Sequence, residues 1–261
     1  MRNYKNIFEK TEIALKKQCS LSEKDFEKQF GRFKKFESRT RSDDEVFEML
    51  ILIIFYSGFK SATVEKKEPL ILSYFPDYKS VSEYDENNIN KMLSDVKMIK
   101  NEQKIKACIN NAKVLKKIIN KHNSFQEYLD SFDANNSFEN LILLKEDLEY
   151  HFNYLGKITV YHFLTDLGFN VLKPDRVMMR IFNRLGFIDN ENQLLKTVIQ
   201  GRLFAKETKL PIRYIDIIFV KYGQLGESKD FGLKNGICLE KNPKCELCGL
   251  IDECNYYKRK P

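Results

Sequence analysis

Cys238, Cys245, Cys248 and Cys254 put four thiols into seventeen residues, spaced Cys-x6-Cys-x2-Cys-x5-Cys. Thiolates this close along a chain can wrap one centre, and four of them suit a cubane iron–sulfur cluster or a zinc ion, with disulfides as the remaining alternative. Structural zinc usually takes two short Cys-x2–4-Cys knuckles. Here only Cys245 and Cys248 make such a pair, so the spacing favours a [4Fe-4S] cluster held by the loop 238–254. Cys19 and Cys108 lie far from this loop in sequence and read as packing residues. A metal-like cysteine cluster points to a reducing, intracellular setting.

A second group of residues could contact phosphate. Phe152-Asn-Tyr-Leu-Gly-Lys-Ile-Thr-Val-Tyr-His-Phe-Leu164 reads as helix, tight turn, helix. Gly156 allows the backbone angles of a short turn and the close approach of another backbone. The amides after it start a helix, where unpaired N–H groups and the positive dipole end favour a phosphate. Leu155, Gly156, Lys157 and Thr159 are therefore candidate contacts, although a plain helical hairpin would carry similar residues.

A carboxylate follows. Nineteen residues after Gly156 comes Lys173-Pro-Asp175-Arg-Val-Met-Met-Arg180-Ile. The proline bars Lys173 from helical angles, and Asp175 falls where a helix N-cap belongs. Asp175 is either a cap alone or a carboxylate that stabilises positive charge on a sugar ring or activates water.

These groups must be positioned by helices. Phe47, Leu50, Ile51, Ile54 and Phe55 form one apolar stripe, and Ile105, Cys108, Ile109, Ala112, Leu115 and Ile119 another. The pattern returns over 160–167 and 177–185. No stretch alternates with period two, so the chain is all-α. Prolines and glycines sit at the joints: Pro69, Pro76, Gly156, Gly168, Pro174, Gly186, Gly201 and Pro211. The 261 residues, 43% of them apolar, suffice for one large domain or two small ones. The longest apolar run, Met49 to Tyr56, is far short of the ~18 residues of a membrane span and fits a buried helix. No signal peptide is visible at the N-terminus. The net charge of +7, from 44 basic and 37 acidic residues, suits a polyanionic partner.

A hairpin glycine, an aspartate about twenty residues on and a 6-2-5 cysteine loop together resemble the helix-hairpin-helix DNA glycosylase superfamily. The cysteine loop and the Asp175 helix look like those of endonuclease III, as does Phe219-Val-Lys-Tyr-Gly223 leading into the loop. Phe47-Glu-Met-(x8)-Gly58-(x4)-Thr63-Val-Glu-Lys-Lys67, Met98-Ile-Lys-Asn-(x3)-Ile105-Lys-Ala-Cys-Ile-Asn-Asn-Ala-Lys113 and Phe152-Asn-Tyr-Leu-Gly156-(x4)-Tyr161-His-Phe are similar to 3-methyladenine DNA glycosylase I. The two resemblances cover about 45 to 254.

The resemblance implies a two-lobed fold. A central lobe over 45–140 would carry the wedge and base pocket. A second lobe, 1–44 plus 141–261, would hold the hairpin, Asp175 and the cluster loop, with a DNA cleft between the lobes. It implies a monomeric base-excision enzyme acting on double-stranded DNA with a damaged base, with no membrane association. The damaged nucleotide must be flipped out of the duplex. Asp175 would then stabilise the charge that builds on the sugar. Phe59 is the candidate wedge, and Tyr56, Tyr154 and Tyr161 candidate stacking walls. Lys241 and Lys244, with Lys258, Arg259 and Lys260 beyond the last cysteine, would form a second phosphate clamp. His151 and His162 flank the hairpin and read as locally satisfied.

Two departures bear on activity. The glutamate that reads the methylated base in 3-methyladenine DNA glycosylase I corresponds to Ile53, and the pocket tryptophan to Ser61; the chain has no Trp. The Schiff-base lysine of bifunctional relatives corresponds to Ile158, with Lys157 one residue early, about 100° away on a helix. A monofunctional hydrolase acting on an alkylated base is expected, with an endonuclease III-like glycosylase and lyase using Lys157 on oxidised bases as the alternative. A non-catalytic iron–sulfur DNA-binding protein and a structural zinc protein are the alternatives of other classes.

Overall fold

Residues 3–35, 40–59 and 61–259 are those described by the computed structural model, Ser61 and Ala62 through their backbone only. They form helices joined by turns, and no strand forms among them beyond a bridge between Ser228 and Leu233. The all-α expectation holds. Among the described residues, no helix is long and apolar enough to cross a membrane. Contacts divide the chain into two compact units, Met1–Ser38 with Asn170–Pro261, and Arg39–Phe169.

The first unit opens with α1 (Tyr4–Gln18) and α2 (Glu23–Gly31). Ser22 caps α2 by accepting from the Asp25 amide, as a side-chain oxygen at an N-cap should.

The unit Arg39–Phe169 contains α3 (Asp43–Tyr56), α4 (Ser61–Glu65), α5 (Glu68–Tyr74), α6 (Tyr78–Ser82), α7 (Glu86–Ser94), α8 (Glu102–His122), α9 (Phe125–Asp130), α10 (Phe138–His151) and α11 (Thr159–Asp166). Ser42 and Glu45 close a capping box at the start of α3, and three acidic residues occupy its first turn. The helix is apolar nearly all round and buries Val46, Phe47, Leu50, Ile51, Ile53, Ile54 and Phe55, which is what a helix without a polar face must do. α8 packs on α3 and α6. Its buried residues include Ile105, Cys108, Ile109, Ala112, Leu115 and Ile119, the stripe anticipated from 3–4 spacing.

The first unit resumes with α12 (Arg176–Arg184), α13 (Leu194–Thr208), α14 (Ile212–Gly223) and α15 (Asn255–Lys258). Its core is aromatic. The Phe182 ring centroid lies 5.5 Å from Phe187, 5.4 Å from Phe204 and 5.4 Å from Phe219, while Phe8 meets Tyr214 and Phe219 at 5.9 Å. Each such side chain contributes about 1.5–3 kcal/mol by leaving water.

Two expectations differ from the structure. Gly201 lies inside α13, not at a joint. A Cβ there would stand 2.1 Å from Leu172 Cδ2, so the glycine admits Leu172, three residues before Asp175, against the helix. The hairpin groups with Arg39–Phe169, whereas the sequence boundaries put 141–169 with Asp175 and the cysteine loop. Buried Asn111 of α8 ties the hairpin to that unit: its Oδ1 accepts from the Asn153 amide at 2.8 Å and its Nδ2 donates to the Asn153 carbonyl at 3.0 Å.

Candidate functional site

The hairpin turn leaves its amides free. Thr159 Oγ1 donates to the Tyr154 carbonyl at 2.5 Å, and the Val160 amide donates to the Gly156 carbonyl at 3.0 Å. Among the described residues, the amides of Gly156, Lys157, Ile158 and Thr159 donate to no protein acceptor. Gly156 and Lys157 are exposed, and Leu155 is buried beneath them. Such a row of unsatisfied N–H groups at a helix start is a ready anion site. Tyr154 holds φ at 65°, the left-handed region that ordinary side chains avoid.

Phe59 and Tyr154 meet over one ammonium. Lys104 of α8 is 3% exposed. Its Nζ donates to the Ile54 carbonyl and, at 2.6 Å, to the Ser57 carbonyl. The same Nζ lies 4.8 Å from the Tyr154 ring centroid and 5.3 Å from that of Phe59. Burial lowers its pKa, because the charged form loses water. Phe59, the expected wedge, is exposed. Tyr56 lies elsewhere: its hydroxyl donates to Glu68 Oε2 at 3.0 Å, and burial, followed by this hydrogen bond, raises its pKa. Tyr161 is buried at 4% exposure, 6.0 Å from Lys145 Nζ, and is placed as a core residue. The Ser61 side chain, like Lys60 and Lys260, lies outside the described residues. Ile53 is buried in α3. His162 pairs with Asp166 at 3.2 Å and His151 stands 3.7 Å from Asp147, local partners as anticipated.

In the other unit, Asp175 is the N-cap of α12. Its Oδ1 accepts from the amides of Val177 at 2.9 Å and Met178 at 3.0 Å. Oδ2 accepts nothing among the described residues, so one oxygen holds the helix and the other makes no protein hydrogen bond. The segment before it is anchored by Asp216, 3% exposed, whose Oδ1 accepts from the Lys173 amide at 3.4 Å while its Oδ2 pairs with Arg213 at 2.6 Å.

The same helix grips the cysteine loop at its other end. Arg184 Nη1 donates to Cys238 Sγ at 3.3 Å and to the Leu239 carbonyl at 2.6 Å, Nη2 donates to the Glu240 carbonyl at 3.0 Å, and the guanidinium lies 4.2 Å from the Tyr256 ring centroid. Arg180, 7% exposed, donates through Nη2 to the Gly223 carbonyl at 2.6 Å and to the Cys238 carbonyl at 3.2 Å. Tyr222 adds its hydroxyl to the Cys248 carbonyl at 2.8 Å. Cys238, Cys245, Cys248 and Cys254 all line one pocket, with Lys244 at its rim, and Lys241 is exposed nearby in sequence. The Leu250 amide donates to Cys248 Sγ at 3.4 Å. Among the described residues, no three Cys, His, Asp or Glu side chains are grouped as ligands of a single metal ion. Cys19 and Cys108 are buried and free, as expected of packing residues.

Asn111, Lys104, Arg180 and Arg184 escaped the sequence reading. Arg180 and Arg184 had a signal, since four residues apart on a helix they share a face that α12 turns to the loop. Lys104 and Asn111 had one too, since with Cys108 and Leu115 they follow 3–4 spacing and fall on the buried stripe of α8 as polar residues.

A family profile for methyladenine glycosylases matches residues 34–173. That segment contains Lys104, Asn111 and the whole hairpin; it ends before Asp175 and the cysteine loop. Among solved structures, 3-methyladenine DNA glycosylase I from Staphylococcus aureus is 22% identical, over 52% of this chain and 82% of that one, with a TM-score of 0.43. A point mutant of the Staphylococcus aureus protein gives 22%, 50%, 81% and 0.43. A further 3-methyladenine DNA glycosylase I gives 22%, 49%, 80% and 0.43. The profile covers more than half of the chain, and the chain therefore belongs to the methyladenine glycosylase family of DNA base-excision enzymes.

Proposed function

We propose that the chain excises an alkylated base from double-stranded DNA by hydrolysing the N-glycosidic bond, with Asp175 as the catalytic carboxylate and no lyase step. The family match carries the excision of an alkylated base; it ends at residue 173, and the role of Asp175 rests on its Oδ2, which no protein donor occupies among the described residues. The four free amides from Gly156 to Thr159 support it, because they suit a backbone phosphate beside the flipped nucleotide. Phe59 supplies an exposed ring to fill the gap in the stack. Departure of the base builds positive charge on the deoxyribose, and a fixed carboxylate oxygen lowers that barrier and can orient water. Ile158, half-buried at the start of α11, offers no amine where bifunctional relatives place one, and Lys157 is left to meet phosphate.

The cysteine pocket fits a [4Fe-4S] cluster by its chemistry. Four thiols line it, and Arg184 and the Leu250 amide donate to two of the sulfurs, the kind of bond that steadies a thiolate ligand. When bound, the cluster serves to fix the loop and Lys241 and Lys244 as phosphate contacts, and no step of hydrolysis passes through it.

Incubation with methylated duplex DNA followed by chromatography tests the reading. Release of 3-methyladenine or 7-methylguanine by the wild type, and not by Asp175→Asn, is the expected result. Wild type that releases neither base refutes the alkylated-base assignment. Borohydride trapping of a covalent DNA adduct through Lys157 would refute the hydrolytic one. Iron and sulfide with absorbance at about 400 nm are expected in protein purified without chelators; zinc alone would overturn the cluster.

A further inference from the structure

Lys104 is a cation almost fully removed from water, with no ion-pair partner among the described residues. Its ammonium is solvated by two carbonyls at the end of α3 and two aromatic faces. Burying a charge this way is unfavourable unless each contact is well made. A leucine or methionine at the same α8 position would pack without that penalty. Neither of the two rings belongs to the core. Phe59 is exposed on the turn after α3. Tyr154 carries a left-handed backbone at the entry to the hairpin, a conformation that persists only where its surroundings hold it.

We propose that Lys104 is a positioning residue for base excision, its buried ammonium fixing Phe59 and Tyr154 relative to one another so that the wedge and the hairpin turn engage the same stretch of DNA together. The inference rests on the glycosylase reading above. The carbonyls of Ile54 and Ser57 hold the ammonium, and the rings of Phe59 and Tyr154 lie over it. Cation–π attraction falls off within about 6 Å of a ring centroid, so both rings are held only while the charge stays in place. Lys104→Met keeps the length and the apolar stem and removes the charge.

Binding to a duplex with one tetrahydrofuran abasic site, compared with the intact duplex by fluorescence anisotropy, reports the wedge without requiring base release. Wild type should prefer the abasic duplex. Lys104→Met and Phe59→Ala should each lose on the order of tenfold of that preference, and the double variant no more than either alone, as coupled neighbours do. Base release from methylated DNA is measured alongside. A folded Lys104→Met with the wild-type preference, or a double variant whose losses multiply, overturns the inference while leaving the glycosylase reading intact. Wild type with neither preference nor base release overturns both. If thermal melting shows Lys104→Met unfolded, Tyr154→Leu, which leaves the ammonium and its carbonyls in place, must show the same loss and the same non-additivity with Phe59→Ala; its failure to do so overturns the inference equally.

Discussion

On the proposed mechanism Asp175 has two jobs, capping and catalysis, that a single substitution can separate. As an N-cap it accepts two amide hydrogen bonds through Oδ1, at 2.9 and 3.0 Å. Asparagine at that place keeps an oxygen in the same position, and Asn and Asp rank together as caps. What Asp175→Asn loses is the charge at the positive end of α12, about 0.3–1 kcal/mol. In a chain of this size that lowers Tm by about 1–4 °C. Asp175→Ala also strands the two amides and loses about 1 kcal/mol more. The proposed catalytic job needs the charge, and removing a fixed stabiliser of a developing charge slows reactions by about 10²–10³-fold. The stability order is therefore wild type, Asn, Ala, while both variants lose turnover alike. Single-turnover base release from methylated duplex DNA, with calorimetric melting of the same samples, reads both quantities. Asp175→Asn that releases bases within about threefold of wild type would assign Asp175 to capping alone. A large drop in Tm for the asparagine variant would instead show that the activity loss came through the fold.

Gly223→Ala would place a Cβ 2.6 Å from Val177 Cγ1 and 2.8 Å from Ile181 Cδ1, so α12 must shift away from α14; about 1–3 kcal/mol of stability should be lost on denaturant unfolding. Asn111→Leu strands the Asn153 amide beside an apolar side chain, for which about 1–3 kcal/mol is expected in the same assay; if the hairpin turn binds phosphate as proposed, binding to undamaged duplex should weaken as the turn loosens. Arg184→Met removes three hydrogen bonds to the loop at Cys238. With the proposed cluster in the loop, iron content per chain should fall and its absorbance band bleach faster in air, with α-helical circular dichroism retained.

The helices were legible because burial writes itself into spacing. The stripe from Ile105 to Ile119 is buried as the 3–4 pattern requires, and the apolar run at Met49 fits the largely buried helix α3, in which Met49, Leu52 and Tyr56 remain half-buried. Asp175 was legible as a cap because Lys173-Pro174 leaves the chain little choice before it. Other features left no such trace. Gly201 looked like a joint, since a glycine that admits a neighbour and a glycine that breaks a helix are the same residue until Leu172 is in view. Tyr161 looked like a pocket wall because an aromatic beside a hairpin suits stacking and core equally, and its 4% exposure decides for the core. The 3–4 spacing puts Lys104 and Asn111 on the buried stripe of α8 but does not show what they meet there, because their partners are carbonyls, amides and rings brought near by the fold from about fifty and forty residues away.

Lys104 and Arg180 meet the same difficulty in the same way, one in each unit. Both are cations under a tenth exposed, and neither has an ion-pair partner among the described residues. Each ends on carbonyls at the C-terminus of a helix: Lys104 on Ile54 and Ser57 at the end of α3, Arg180 on Gly223 at the end of α14. Those carbonyls have no partner within their helix and carry the negative end of its dipole. A buried carboxylate would have to be desolvated as well as the cation, whereas carbonyls at a helix end are present in any case and need a donor. The arrangement therefore satisfies orphan acceptors and a buried charge with one contact. It also fixes where the chain goes next. After α3 the chain enters the turn bearing Phe59, and after α14 it runs to the cysteine loop, whose Cys238 carbonyl takes Arg180's other hydrogen bonds. Methionine at Arg180 would leave the Gly223 and Cys238 carbonyls without that donor, so Arg180→Met should destabilise the Cys238 segment more than Arg184→Met does, because Arg180 is the more buried of the two.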